Sequence, residues 1–270
     1  MGFGAPDHMT TSRLYVPPTL SLRFVPVWRR HFLVWRKLAL PSLLGNLADP
    51  LIMLFGLGYG LGAVLGDMGG TSYFAFLAAG FVASSTMYAA TFETLFSAFS
   101  RMHVQKTWEA IVNAPMTLDD VLAGEWAWAA TKALAAGLSM LVVIAAFGFT
   151  TLPLALAAVP VVVLVGLAFG ALGLAINALA SGFDYFSYYL TLVLTPMMML
   201  CGVFFPVEQL PGAIQAVSRV LPLYHGVEIV RPLLAGSFPP DLLAHLAALA
   251  AYAAAGFYLA VVLTRRRLLT

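Results

Sequence analysis

RMHVQKTWEAIVNAPMTLDDVLAGE, residues 101–125, is a polar stretch between two apolar ones. Val104, Trp108, Ile111 and Val112 recur at helical spacing on one stripe, with Gln105, Lys106 and Glu109 beside it. Asn113 and Pro115 end that helix. Thr117-Leu-Asp-Asp120 then fits a capping box, with an acid three residues after the threonine, and opens a new helix. The unit reads as helix, break, capped helix. It is either an ordinary amphipathic surface loop or a docking element for a soluble partner.

What lies on either side decides the fold. Hydrophobic residues make up 61% of the chain and charged residues 10%, against about half and about a quarter in soluble domains. Mean hydropathy is +0.91. A soluble core is excluded and the chain reads as an integral membrane protein. The lone Cys201 excludes an intrachain disulfide and a multi-cysteine metal site. A spanning helix needs about 20 apolar residues, and six such runs are expected near 42–65, 73–98, 126–149, 154–180, 186–205 and 241–263. The runs are continuously apolar rather than alternating, which favours helices over a β-barrel. The expected fold is all-α, with one transmembrane domain over 41–270 preceded by an amphipathic helix at 22–40 and a flexible cytoplasmic tail at 1–21.

The basic residues orient it. Arg13, Arg23, Arg29, Arg30, Arg36 and Lys37 precede the first span, Arg101 and Lys106 follow the second, and Arg265, Arg266 and Arg267 follow the sixth. Six spans place all of these on one side, leaving Arg219 and Arg231 on the other. Both termini are expected in the cytoplasm. The first ~40 residues hold no early apolar run and do not read as a cleaved signal.

In 22–40, Trp28, Phe32, Trp35 and Ala39 share a face, while Arg29 with Arg36 and Arg30 with Lys37 share another. Such a helix lies flat at the headgroups, aromatics down and cations toward anionic lipid; it is a membrane anchor, a partner contact, or both. Gly56, Gly58, Gly60, Gly62 and Gly66 crowd the first span, for close packing or as a flexible substrate wall. Glu93 and Lys132 lie inside spans near the cytoplasmic interface, beside Glu125; snorkelling or a mutual Glu93–Lys132 ion pair accounts for them, and so does a gating role. The aromatics from Phe183 to Tyr189 form an interfacial belt or stacking surfaces for a sugar. Between spans five and six, 206–240 holds two short apolar pieces, 212–221 and 224–235, too short to cross and too apolar for water, which read as outer re-entrant helices. His225, Glu228 and Arg231 recur at i, i+3, i+6 there; a polar cluster is expected rather than a metal site, since a third ligand is missing.

No phosphate-binding Gly-x-x-x-x-Gly-Lys-[Ser/Thr] loop occurs, nor a His-Glu-x-x-His or Gly-x-Ser-x-Gly motif, nor a chain of buried acids across the spans. The chain reads as a passive transmembrane part whose energy comes from elsewhere.

Four stretches carry a resemblance: Gly45-Asn-Leu-Ala-Asp-Pro-Leu51 with Phe55-Gly-Leu-Gly58, Ala89-Ala-Thr-Phe-Glu-Thr94, Thr107-Trp-Glu109, and Gly124-Glu-Trp-Ala-Trp-Ala-Ala-Thr-Lys132. From about Trp28 to the C-terminus the chain resembles the ABC-2 type permeases, specifically the NodJ type, membrane subunits of lipo-oligosaccharide exporters in nodulating bacteria. The resemblance implies a bacterial inner-membrane homodimer docked on two copies of a separate ATPase, which binds ATP and Mg; this chain itself would hold no cofactor. It further implies a coupling helix centred on Gln105–Ile111, with Gln105, Lys106, Thr107, Trp108 and Glu109 against the ATPase. Trp28, Arg29, Arg30, Trp35, Arg36 and Lys37 would form the interface helix. Glu93, Glu125 and Lys132 would transmit or gate, and His225, Glu228 and Arg231 would sit in the outer segment. The implied substrate is an amphiphile: a lipo-oligosaccharide or glycolipid, with a hydrophobic drug as the alternative. A non-transporting scaffold and a membrane glycolipid enzyme are the rival classes.

Overall fold

Backbone in lipid must satisfy its own hydrogen bonds, and this chain does so almost entirely by helix. The computed structural model describes residues 14–68 and 71–269. α1 is Phe24–Trp35 and α2 is Ala39–Gly60, joined by a 3-10 turn and followed by a single turn, Gly62–Leu65. A two-residue antiparallel ladder, Asp67–Met68 with Thr71–Ser72, leads into α3, Tyr73–Val104. α4 is Thr107–Val112, α5 Leu118–Ala146 and α6 Leu152–Leu179. α7 runs over 184–200, α8 is Gly212–Val220, α9 Pro222–Leu234 and α10 Leu242–Leu269.

Five helical stretches are long and apolar enough to cross a membrane: Phe24–Leu65, Tyr73–Val104, Leu118–Ala146, Leu152–Leu179 and Leu242–Leu268. The chain is a multi-pass membrane protein. α7, expected as a span over 186–205, ends earlier, at Leu200, just before Gly202 takes a left-handed φ of 79°, which leaves it at the short end of the lengths that cross a membrane. The second expected span continues past residue 98 to Val104, and the third begins at Leu118 rather than 126. The capping box forms as read: Thr117 Oγ1 accepts from the Asp120 amide, and the Asp120 carboxylate accepts from the Thr117 amide.

α3 is the central helix, buried along most of its length, with α2, α5, α6 and α9 packed around it. Close approach is made by glycines, because lipid supplies no hydrophobic drive between helices and contact must be won by packing. The glycines that do this are not those of the first span. Gly56 and Gly60 face open space and only Gly58 is tight, against Phe74. Packing glycines lie on α6, where Gly166 meets Ala133, Gly170 meets Ala129 and Gly173 meets Thr94 of α3, and on α5, where Gly124 meets Val27 of α1 and Gly137 meets Val162 of α6. On α9, Gly226 sits against Val165 of α6 and Ala83 of α3, so that helix is wedged among the long ones.

The long helices give the molecule two ends. At the basic end lie α1, the C-terminal part of α3, α4 and the C-terminus of α10. There Arg267 Nη1 caps α6 by donating to the carbonyls of Asn177 and Ala178. Phe186 of the aromatic run is fully buried against Phe96 and Phe99, whereas Tyr185 and Tyr188 stay exposed; the run is half core and half surface. At the far end are the 201–241 segment and the turn after α5, tied where Thr150 Oγ1 donates to the Leu234 carbonyl. Of the tail expected at 1–21, residues 1–13 lie outside the described residues. Residues 14–21 are held as a strap. Arg265 donates to the Val16 carbonyl (2.6 Å) and makes a bidentate pair with Asp119; Thr19 donates to the same carboxylate, and Tyr258 to the Tyr15 carbonyl.

Candidate functional site

α3 is the helix on which the site is built, and it is not α-helical throughout. Glu93–Ser97 and Ser100–Val104 are π turns, a form seen mostly at functional positions. In an ideal α-helix, residues eight apart lie about 80° from alignment, at 3.6 residues per turn. π turns close i→i+5 rings and wind more slowly, which absorbs the offset and lets Arg101 reach back to Glu93.

Arg101 Nη2 donates to Glu93 Oε1 at 2.8 Å and to Glu125 Oε2 of α5 at 2.5 Å, while its Nε donates to Glu125 Oε1 at 2.9 Å. The guanidinium is thus bidentate to one carboxylate and shared with a second. Each carboxylate also accepts an indole N–H: Trp128 Nε1 to Glu93 Oε1 and Trp108 Nε1 to Glu125 Oε1, both at 2.9 Å. His31 of α1 brings Nε2 to 3.3 Å from Glu125 Oε1, in contact but without an aligned hydrogen bond. All of this is buried: Glu125 is 1% exposed and Glu93 8%. Burying charge costs several kcal/mol per ion unless it is paired and hydrogen-bonded, and here each carboxylate has both the guanidinium and an indole N–H. Four elements, α1, α3, α4 and α5, therefore meet at one polar knot.

The knot corrects the expected pairing of Glu93 with Lys132. Arg101 occupies that role. Lys132 instead donates to Ser42 Oγ at 2.7 Å and lies over the Trp35 ring, its Nζ 5.7 Å from the centroid.

α4 divides the expected docking residues. The chain turns at Lys106, whose φ of 53° is left-handed, and the helix starts only at Thr107. Val104 therefore drops out of the expected stripe and is exposed at 65%. Trp108, at 2% exposure, is turned inward as the anchor, and Thr107 is buried beside it. Gln105, Lys106 and Glu109 face outward, with Lys106 Nζ and Glu109 Oε1 paired at 2.8 Å.

On α1 the aromatic ladder holds: Trp28 and Phe32 stack, and Phe32 meets Trp35. It does not simply face lipid. Trp28 Nε1 donates to Thr131 and Trp35 Nε1 to Ser42, both inside the bundle. Arg29, Arg30, Arg36 and Lys37 are exposed. Val27 and His31 are the residues buried against α5.

At the far end the expected polar trio does not form one cluster. His225 Nδ1 meets His245 Nδ1 of α10 at 2.8 Å. Arg231 donates to the Gly202 carbonyl and stacks on Phe76, 3.7 Å from its centroid. Glu228 makes no hydrogen bond or ion pair among the described residues, and burial pushes its carboxyl above the ordinary range. Burial and His245 push the His225 imidazole down. Among the described residues no three metal-binding side chains converge.

Arg101, His31, Trp128, Asp119 and Arg265 went unassigned from sequence. The available signal was Arg101 itself, a cation eight residues past Glu93 with no helix breaker between them.

The sequence profile of the ABC-2 type transporter family matches residues 24–234. "Nodulation protein J" of Rhizobium meliloti (strain 1021) is 51% identical over 259 residues, covering 95% of this chain and 99% of that protein. "Nodulation protein J" of Rhizobium leguminosarum bv. trifolii is 52% identical over 252 residues, 93% of this chain and 96% of that one. A more distant relative, "Inner membrane transport permease YadH" of Escherichia coli (strain K12), is 28% identical over 173 residues, 61% of this chain and 64% of that one.

Proposed function

This chain belongs to the ABC-2 type transporter family, and from that premise we propose that it is the permease subunit of an ATP-driven exporter of a lipo-oligosaccharide. Two copies form the pathway and two copies of a separate ATPase, which holds ATP and Mg, dock beneath the basic end. That end faces the cytoplasm of a bacterial inner membrane, with both termini there. α7 completes a set of six spans, and α8 and α9 are re-entrant from the outer face. The arginine distribution supports the orientation, and the burial of Gly226 among the long helices supports the re-entrant reading. The substrate class rests on the likeness to the NodJ type over nearly the whole chain.

One observation carries the coupling: α4 exposes a charged turn on one face while its other face is hydrogen-bonded, through Trp108, to Glu125. A partner that moves Lys106 and Glu109 moves a helix whose anchor is the knot. The knot holds α1, α3 and α5. Displacement at the surface is thereby delivered to two spanning helices at once, as a two-state interface requires.

The test begins with co-expression alongside the genomic neighbours and purification in nanodiscs. A stoichiometric ATPase carrying a Walker motif is expected; a stable chain with no such partner would remove the exporter reading. In the complex, lipo-oligosaccharide should stimulate ATP hydrolysis, and the Lys106→Glu/Glu109→Lys double variant should abolish that stimulation. Undiminished stimulation would move coupling away from α4.

A further inference from the structure

Between α1 and the adjacent parts of α2, α3 and α5 lies a cavity of about 310 Å³, far beyond what a single water needs. Arg30, Trp35, Ser42, Glu93, Arg101 and Lys132 border it. Its charges do not balance. Arg101 is consumed by Glu93 and Glu125. Among the described residues Lys132 has no acid within ion-pair distance; Glu93 attracts it only from further off, and its one hydrogen bond there is to Ser42 Oγ. That oxygen also accepts from Trp35 Nε1 at 3.0 Å, so both approaches are by donors and the hydroxyl proton is left to point elsewhere. Arg30 stands exposed at the edge. Glu93, also at the wall, is tied through Oε1 to Arg101 and Trp128; what Lys132, Ser42 and Arg30 offer is donors: two ammonium protons, a hydroxyl proton and a guanidinium. A half-buried ammonium without a counter-charge is costly, and an anion would relieve it.

The position says which anion. α1 is amphipathic with an exposed basic face, the form of a helix lying at headgroup depth. Val34 and Leu38, exposed at 60% and 64%, border the same cavity and offer an apolar wall leading out of it. Donors inside and an apolar exit match a phosphate group carrying an acyl tail.

We propose that this cavity is a binding site for a phosphate-bearing anionic headgroup, held by Lys132, Ser42 and Arg30, with a membrane phospholipid as its occupant. The site does not depend on the exporter reading. An anion there would fasten α1 to α2 and α5 through a lipid.

The test uses the purified full chain in neutral detergent, stripped of lipid. Phosphatidylglycerol should raise its melting temperature and persist as an adduct in native mass spectra; phosphatidylcholine should do neither. Lys132→Met should weaken phosphatidylglycerol binding about ten-fold, and Lys132→Arg should keep it. Arg30→Gln, an exposed change that leaves the core intact, should weaken it several-fold and keeps the test decisive if Lys132→Met misfolds. Inorganic phosphate separates the sources. Millimolar phosphate that reproduces the stabilisation, with the same dependence on Lys132 and Arg30, marks a free-anion site of the same chemistry; phosphate without effect marks the lipid. Equal response to phosphatidylglycerol and phosphatidylcholine, or binding unchanged in both variants, would overturn the proposal.

Discussion

At the basic end Arg101 divides its guanidinium between two carboxylates, and each carboxylate takes a further N–H from a tryptophan. At the far end Arg231 finds one carbonyl and one ring, His225 meets His245, and Glu228, with no hydrogen bond among the described residues, feels Arg231 only through its charge. Both regions place charge where solvent is scarce. The first shares its partners across four elements and should respond as a unit. The second is a set of separate hydrogen-bond and ring contacts, joined only by the longer-range attraction between Glu228 and Arg231. Spacing by itself does not distinguish them: Glu93 and Arg101 are eight apart on one helix, and His225, Glu228 and Arg231 are three apart on another.

The largest effect should come from Arg101→Met, which strands two buried carboxylates and should cost about 3–5 kcal/mol. Thermal unfolding in nanodiscs should show it as the greatest loss of any single change at either end. Arg101→Lys should recover part of that loss. A variant melting like the wild type would erase the contrast drawn here.

Additivity sharpens the comparison next. Trp108→Phe and Trp128→Phe each withdraw one donor from a buried carboxylate and should cost about 1–2 kcal/mol. Combined with Arg101→Met, either should cost clearly less than the sum, as for groups in one network. At the far end Arg231→Met should cost about 1–2 kcal/mol, from a ring contact and a charged hydrogen bond, and should add simply to His225→Phe. A double-mutant cycle at each end checks both statements.

Acid should separate the ends further. The His225 pKa is depressed in the folded protein, so its contribution is present above the unfolded value near 6.5 and is lost as pH falls through the folded value. Protonating both imidazoles also removes the acceptor at Nδ1. Between pH 7.5 and 5 the wild type should lose up to about 1 kcal/mol from the far end, and His245→Phe should flatten that dependence. Glu228 runs the other way: its raised pKa contributes stability below about pH 4.5 that is lost as pH rises through the folded value. Glu228→Gln should then be neutral to slightly stabilising at pH 7.5. The smallest effect on stability should be that of the exposed Lys106–Glu109 pair, whose charge swap should stay within about 0.5 kcal/mol while changing ATPase stimulation, the readout on which it matters.

These ends also differ in how far the sequence foretold them. The breaks around α8 and α9 were visible because Pro211, Gly212 and Pro222 act locally, and Thr117 with Asp120 was visible for the same reason. The knot was not. Its residues are close only because two π turns shift the register of α3, and a uniform 3.6-residue period hides that. A wheel sorted by aromatics and cations leaves a lone histidine between categories, although His31 is the polar side chain that α1 buries. Similar depth alone pairs Lys132 with Glu93; α3 runs on past residue 98, and that brings Arg101 to the carboxylate instead.

The strap at residues 14–21 sets an order of events. Its bond from Arg265 to Val16 joins residues 249 apart, so during synthesis the strap must wait for α10. It can be fastened only after every helix between them has been made. Until then Asp119 is without its arginine and the start of α5 is open. The making of α10 is thereby recorded in the shape of the basic end, and a chain cut short before Arg265 would leave the strap unfastened.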